Sequence, residues 1–338
     1  MAAVKTLQHG AAGGSANGAA GGAANATANA TAANATAAKM NKIALAWYKY
    51  KWYYFFVLPA FACFVLFTYI PYGGLTMAFQ DYKFFNPAIS PWVGFKHFAN
   101  FFGSRDFPRL MRNTLVISTL RLICGMPIPI IFALLLNEVR VSWYKRTIQT
   151  ITYFPNFLSW VIYAGIMMTL LAPSGVINYI AKGMGMTPPN FLVSNSTFVP
   201  VLIVTDILKG FGFGAIVYLA ALSGVDAQLY EAAAIDGAGK WRQTWHITLP
   251  GIRPVIVVMF ILALGGILNA GFDQIFNMYN SSVIESSDIL DTYVYRIGFS
   301  GQQYSVGTAV GLFKGVIGFA LITAANYTIR RLGEASIW

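Results

Sequence analysis

EAAAIDGAGKWRQTWHITLPGIRP, residues Glu231–Pro254, decides how the rest of the chain is read. It lies between two apolar runs, roughly 198–222 and 254–271, and carries Glu231, Asp236, Lys240, Arg242 and Arg253, with Asp226 just upstream. Charges at this density do not sit in hydrocarbon, so the stretch is a loop that leaves a membrane. It is not a floppy loop. Asp226 stands where a helix N-cap is needed. Val225, Leu229, Ala232 and Ala233 recur at helical spacing, an apolar stripe centred on two alanines. Gly237 permits a sharp break, a second helical piece starts near Lys240, and Leu249-Pro250 is expected to stop it. Two short helices with a glycine elbow, and small side chains that admit another backbone, form a docking knob for a soluble partner.

The composition agrees. The 338 residues are 57% hydrophobic and 10% charged, with a mean hydropathy of +0.57, whereas a soluble domain carries about a quarter charged residues. The class is therefore an all-α polytopic membrane protein. The net charge of +11 is spread over short basic clusters beside apolar runs, the pattern of membrane topology rather than of nucleic-acid binding. Cys63 and Cys124 both lie in apolar runs and read as small buried hydrophobes. His97 and His246 read as surface loop residues, so neither a metal site nor a bound cofactor is expected. No Gly-x-x-x-x-Gly-Lys-Ser/Thr occurs, so if ATP drives this protein, another chain binds it.

Residues 1–45 open as an Ala/Gly/Asn/Thr tail with Asn-Ala-Thr units at Asn25, Asn29 and Asn34. It is expected to be disordered and not a cleaved signal peptide. The remainder, 46–338, reads as one transmembrane domain. Spans are expected at about Trp52–Phe79, Leu110–Leu136, Ile148–Leu171, Phe198–Leu222, Val255–Phe272 and Tyr304–Ile329. Pro59 and Pro71 can kink the first of these without breaking it. Arg140, Lys145 and Arg146 mark one inner loop, and Lys240, Arg242 and Arg253 mark another, the knob itself. Arg330-Arg331 close the last span inside. Six transmembrane helices with both termini cytoplasmic satisfy the charge rule except at the basic, aromatic loop 81–112. That loop, with Trp92-Val93-Gly94-Phe95-Lys96-His97-Phe98, is expected to hold a small structured element on the outer face.

Glu231-Ala232-Ala233, Gly237 and Ile247-Thr248-Leu249-Pro250 together resemble the EAA motif of ABC importer permeases, at matching spacing. The resemblance implies the type I importer permease fold, with 223–253 as the coupling loop that enters a groove of a cytoplasmic ATPase. It assigns ATPase coupling to Glu231, Ala232, Ala233, Asp236, Gly237, Ile247, Leu249 and Pro250. One departure is Thr244, where many sugar permeases carry Phe; Trp241 or Trp245 is positioned to fill that hydrophobic role.

The likeness extends from about residue 50 to the end. Ala133-Leu134-Leu135-Leu136-Asn137-Glu138-Val139, Tyr153-Phe154-Pro155-Asn156-Phe157-Leu158-Ser159-Trp160, Gly271-Phe272-Asp273-Gln274-Ile275-Phe276 and Asp291-Thr292-Tyr293-Val294-Tyr295-Arg296 look like the maltose-type carbohydrate permeases. The branch is the one importing complex oligosaccharides of aldouronate or alginate type. This implies a bacterial cell-membrane protein that is not itself an enzyme. Its implied partners are a second permease subunit, an ABC ATPase dimer, an extracytoplasmic solute-binding protein and the oligosaccharide.

Polar groups inside spans are functional candidates, each with a packing alternative. Arg121 lies in mid-span, where a charge costs about 2.5–3.5 kcal/mol on insertion scales; it meets either an anionic sugar or a structural partner. Asp206 and Lys209, three apart, read as neutralising each other. Asn269, Asp273 and Asn277 recur every four residues on one helical face, with Phe272, Gln274 and Phe276 beside them. Amides and carboxylates for hydroxyls, and rings for the apolar face of a sugar, are the ingredients of a sugar site; helix–helix hydrogen bonding is the other reading. Lys314 either binds its neighbours or lines the vestibule. The rival function, an ion-coupled secondary transporter, calls for inverted repeats and paired mid-membrane carboxylates, and neither stands out. A membrane enzyme needs a nucleophile or a His–acid cluster, which three scattered histidines do not make.

Overall fold

In the computed structural model Trp47, residues 49–331 and Gly333 are described. The tail and its sequons lie outside them. The chain divides into two compact units after Gly73. The described residues are helical apart from turns and one isolated bridge, Gln80 to Trp92. Six helices are long and apolar enough to cross a membrane: α1 (Lys49–Phe79), α3 (Asp106–Glu138), Trp160–Gly183, α7 (Asn195–Leu222), α9 (Lys240–Gly265) and α12 (Tyr304–Arg331). Between them stand α2 (Lys96–Phe102), α4 (Ser142–Phe157), α8 (Ala227–Ile235) and α10 (Phe272–Met278). The third span is built from α5 (Trp160–Leu171) and α6 (Val176–Gly183), and α11 is the short turn Leu290–Tyr293.

Pro59 passes through α1 without a break. Around Pro71 the helix changes pitch instead, with a π segment at Val65–Tyr69 and a 3-10 segment at Ile70–Phe79. A proline N–H is missing and its ring crowds the preceding turn, which the wider π turn relieves.

Three expected boundaries move. The third span is not one helix over 148–171: α4 ends at Phe157, Leu158 is extended, and α5 restarts with Ser159 as its cap, Ser159 Oγ accepting from Ile162 N at 3.3 Å. Leu249-Pro250 does not stop the second knob helix. A π segment at Thr244–Thr248 lets Leu249 N–H reach the Thr244 carbonyl, and the helix runs through Pro250 into the fifth span. That span ends at Gly265 rather than Phe272: a short 3-10 turn, Ile267–Asn269, follows it, and the left-handed Ala270 (φ 45°) and Gly271 (φ 77°) bar continuation into Phe272.

Within the second unit, Ala133, Ala215, Tyr218, Leu222 and Ile252 make one apolar cluster that joins α3, α7 and α9. Toward the opposite end of the bundle Ile117, Phe198, Leu202, Ile275, Met278 and Ile289 make another. Gly212 lies against the Thr152 backbone so closely that a methyl group there would overlap it. Small residues give this approach in membranes, where packing rather than hydrophobicity holds helices together. Cys63 and Cys124 are exposed on their helices, not buried; inside hydrocarbon an outward thiol carries no penalty. His97 is the reverse, a buried residue with Nε2 3.1 Å from the Gln80 carbonyl oxygen, which ties α2 to the Gln80–Trp92 bridge.

Candidate functional site

Two surfaces and the polar hub between them carry the chemistry. At one end the knob folds as its sequence dictates. Asp226 accepts from Gln228 N at 2.9 Å and starts α8; Gly237 takes φ 74° and turns the chain. Gln243 Nε2 donates to the Ala238 carbonyl at 2.9 Å, which holds the elbow, and Tyr230 Oη donates to Thr248 Oγ1 at 3.0 Å, which closes α8 on α9. Gly251 fits against Val225. The outcome is a rigid knob whose outward face is Glu231, Ala232, Asp236 and Gly237, with Ile235 87% exposed; Ala233 and Ile247 are half-buried and share a small cleft with Asp236 and Arg242. Leu249 and Pro250 belong to α9 proper. Trp241 and Trp245 are 84% and 68% exposed, so neither packs inside the knob in place of the missing Phe.

The hub is built from Arg121. Its Nε donates to Asp206 Oδ2 at 3.0 Å, its Nη2 pairs with Asp206 Oδ1, and Nη2 also reaches Gln274 Oε1 at 2.8 Å. Gln274, 1% exposed, passes the network on from Nε2 to the Leu202 carbonyl at 2.8 Å and to Thr205 Oγ1 at 2.7 Å. Arg121 therefore has a structural partner in Asp206, and Gln274 is locked into the core instead of facing a ligand. Gly271 makes this possible: a Cβ there would fall on the Arg121 guanidinium. Asp206 and Lys209 do not neutralise each other. Lys209 Nζ donates to the carbonyls of Pro155, Asn156 and Leu158 at 3.0, 3.1 and 2.7 Å, and stands 5.2 Å from the Trp160 ring centroid. A broken helix leaves carbonyls short of donors inside the membrane; the ammonium supplies one, joining the Leu158 N–H that reaches the Pro155 carbonyl at 3.3 Å.

Beyond the hub lies a cavity of about 920 Å³ between α10, α12 and the segment 291–299. Asn269, Phe272 and Asp273 line it, together with Asp291, Tyr295 and Lys314. Lys314 Nζ pairs with Asp291 Oδ1 and lies 3.3 Å from Asn269 Oδ1. The rings form a ladder: Phe272 stacks on Phe276 at 5.3 Å, Phe276 meets Tyr295 edge-on at 4.6 Å, and Tyr295 stacks on Phe299 at 5.8 Å. Asn269, Asp273 and Asn277 do not share one helical face, because the left-handed Ala270-Gly271 separates Asn269 from α10. Asn277 donates to the Asp273 carbonyl at 2.7 Å and stands outside the cavity wall.

Tyr295, Phe299, Trp160 and Asp291 were not singled out as site residues by sequence reasoning, although the Tyr295–Phe299 spacing, one helical turn, was visible. Beside the cavity, fully buried Asp288 takes two hydrogen bonds from Arg296 at 2.8 and 3.0 Å and one from Thr292 Oγ1 at 2.8 Å. Asn113 Nδ2 donates to the Glu285 and Asp288 carbonyls at 2.9 and 3.1 Å, fastening this segment to α3. Burial pushes the Tyr293 phenol above its ordinary value, and the hydrogen bonds that the Arg296 guanidinium donates to Asp288 do the same for that group.

Comparison with known proteins bears on both surfaces. Residues 125–333 match the family described as the binding-protein-dependent transport system inner membrane component. Protein LplB of Bacillus subtilis (strain 168) is 44% identical over 290 residues, 85% of this chain and 91% of that one. The polygalacturonan/rhamnogalacturonan transport system permease protein YteP of the same organism is 42% identical over 302 residues, 89% of this chain and 94% of that one. The crystal structure of a bacterial ABC transporter involved in the import of the acidic polysaccharide alginate superposes with a TM-score of 0.80 at 39% identity, covering 87% of this chain and 100% of that one.

Proposed function

From the premise that this chain belongs to the binding-protein-dependent transport system inner membrane components, we propose how its knob and its cavity divide the work of import. The chain is the multi-pass permease subunit of an ABC sugar importer, a transport subunit rather than an enzyme. Its partners are an ABC ATPase and a solute-binding protein, with a second permease subunit expected to complete the pathway. In our reading Glu231, Ala232, Ala233, Asp236 and Gly237 contact the ATPase on the cytoplasmic side, with Ile247, Leu249 and Pro250 holding that contact to α9, and both termini lie on the same side. Asn269, Phe272 and Asp273 contact sugar, joined by Tyr295, Phe299 and Lys314, while Arg121 and Gln274 hold the floor beneath them. Uronate-containing oligosaccharide is the substrate class we favour, since YteP and the alginate transporter are named for acidic glycans.

The observation that carries this reading is the knob: a capped α8 and a left-handed Gly237 hold Glu231 outward, and no ion pair reaches it among the described residues. A tagged permease extracted in detergent is expected to bring down an ATPase, a second permease and a binding protein, and Gly237→Pro to lose the ATPase. A lone protein that moves solute without an ATPase sinks the reading in favour of an ion-coupled transporter.

A further inference from the structure

Between α3 and α9, at the end of the bundle that carries the knob, runs an apolar groove of about 740 Å³ that lies apart from the sugar cavity and shares only Leu249 with the residues assigned to coupling. One wall follows α3 from Pro127 through Ile131 and Leu135 to Glu138; the other is the start of α9, with Trp245, Trp241 and Lys240 toward the same end. Ile131, Leu135 and both indoles are exposed. Eleven helical steps from Pro127 to Glu138 span about 16 Å, close to the hydrocarbon depth of one leaflet, about 15 Å. Along that length the chemistry changes from aliphatic to indole to charge. Tryptophan settles at headgroup depth, so the order repeats that of a phospholipid from acyl chain to head.

The mouth of the groove says which headgroup. Lys240 Nζ lies 3.1 Å from Glu138 Oε2, and both side chains are more than half exposed. A pair this exposed is weakly held and opens to a competitor. A cation and a carboxylate side by side complement a headgroup with a phosphate next to a primary ammonium. The phosphate accepts from Lys240, and the ammonium donates its N–H groups to Glu138. A choline head has no N–H to donate, and a glycerol head has no cation for Glu138.

We propose that this groove holds a molecule of phosphatidylethanolamine, with an acyl chain along α3 and its head between Glu138 and Lys240. Lys240 is the first residue of the helix that follows the Gly237 elbow, so the lipid braces the second arm of the knob against α3.

Quenching of tryptophan fluorescence by lipids brominated on the acyl chain tests this in the purified full chain. The signal lost in Trp241→Phe/Trp245→Phe isolates the groove from the other tryptophans. Brominated phosphatidylethanolamine is expected to quench that difference signal at a several-fold lower mole fraction than brominated phosphatidylcholine or phosphatidylglycerol. Glu138→Gln is expected to abolish its advantage over phosphatidylglycerol. Equal quenching by the three lipids, or a preference for either of the others, overturns the proposal in favour of ordinary boundary contact. No quenching by any of them overturns it in favour of a protein surface, a second copy of this chain, covering the groove.

Discussion

Arg121 shows how a charge is kept inside this bundle and what removing it does. Paired with Asp206 and Gln274, it leaves a carboxylate without its counter-ion when replaced by methionine; breaking such a pair costs about 3–5 kcal/mol where burial is complete, and less here because Asp206 keeps some exposure. We expect Arg121→Met to lower the thermal midpoint in detergent sharply and Arg121→Met/Asp206→Leu to recover much of the loss. A double variant no better than the single would mean that the pair is not coupled. Gly271→Ala tests the same hub from the other side: a left-handed alanine alone costs about 1 kcal/mol, and its methyl group displaces the guanidinium, so a loss comparable to Arg121→Met is expected in the same melt. Sequence spacing showed that Arg121 needed a partner, not which one, because Asp206 lies 85 residues away. Spacing also paired Asp206 with Lys209, since residues three apart share a helix face. What it missed is that a long side chain goes where partners are wanting. Pro155, a proline inside a helix, is the visible sign that carbonyls are freed there.

At the scale of elements, the knob was legible almost residue by residue because caps and elbows are local: Asp226, Gly237 and the alanine stripe each act within one turn. The boundary at Leu249-Pro250 was not, because a π segment five residues long absorbs the proline and leaves no signature that a residue-by-residue reading detects. The same limit applies to Ala270-Gly271, where only glycine announces a left-handed turn and alanine does not. For the knob we expect Glu231→Lys to leave the protein inserted while cutting ATP-driven uptake in proteoliposomes at least tenfold; uptake at the wild-type rate would remove Glu231 from the coupling surface. Lys209→Met, which strips a broken helix of the donor for three carbonyls, is expected to destabilise by about 2–5 kcal/mol. A thermal midpoint unchanged from wild type would show that water reaches the break.

For the whole molecule, the six spans could be read from hydropathy, whereas the cavity could not be read as a whole, because it is assembled from Trp160, α10, the segment 291–299 and α12, which only the fold brings together. Its test separates binding from assembly. Asp273→Ala and Tyr295→Ala are expected to raise the sugar concentration for half-maximal uptake several-fold while leaving ATPase co-purification intact. Failure to assemble would make these residues structural instead.

The run of helix through Pro250 has a mechanical corollary. From Lys240 to Gly265 the α9 rod extends about 38 Å, 25 steps at 1.5 Å each, with the knob at one end and the cavity floor just past the other. Near its far end Gly265 meets α12 so tightly that a methyl group on Gly318 would sit 3.1 Å from the Gly265 carbonyl oxygen. A rod pinned at a narrow glycine contact is a lever on a fulcrum. Its soft points lie at the knob end, the π segment Thr244–Thr248 and the prolines Pro250 and Pro254, so beyond Pro254 a push on the knob is expected to travel as a tilt about Gly265.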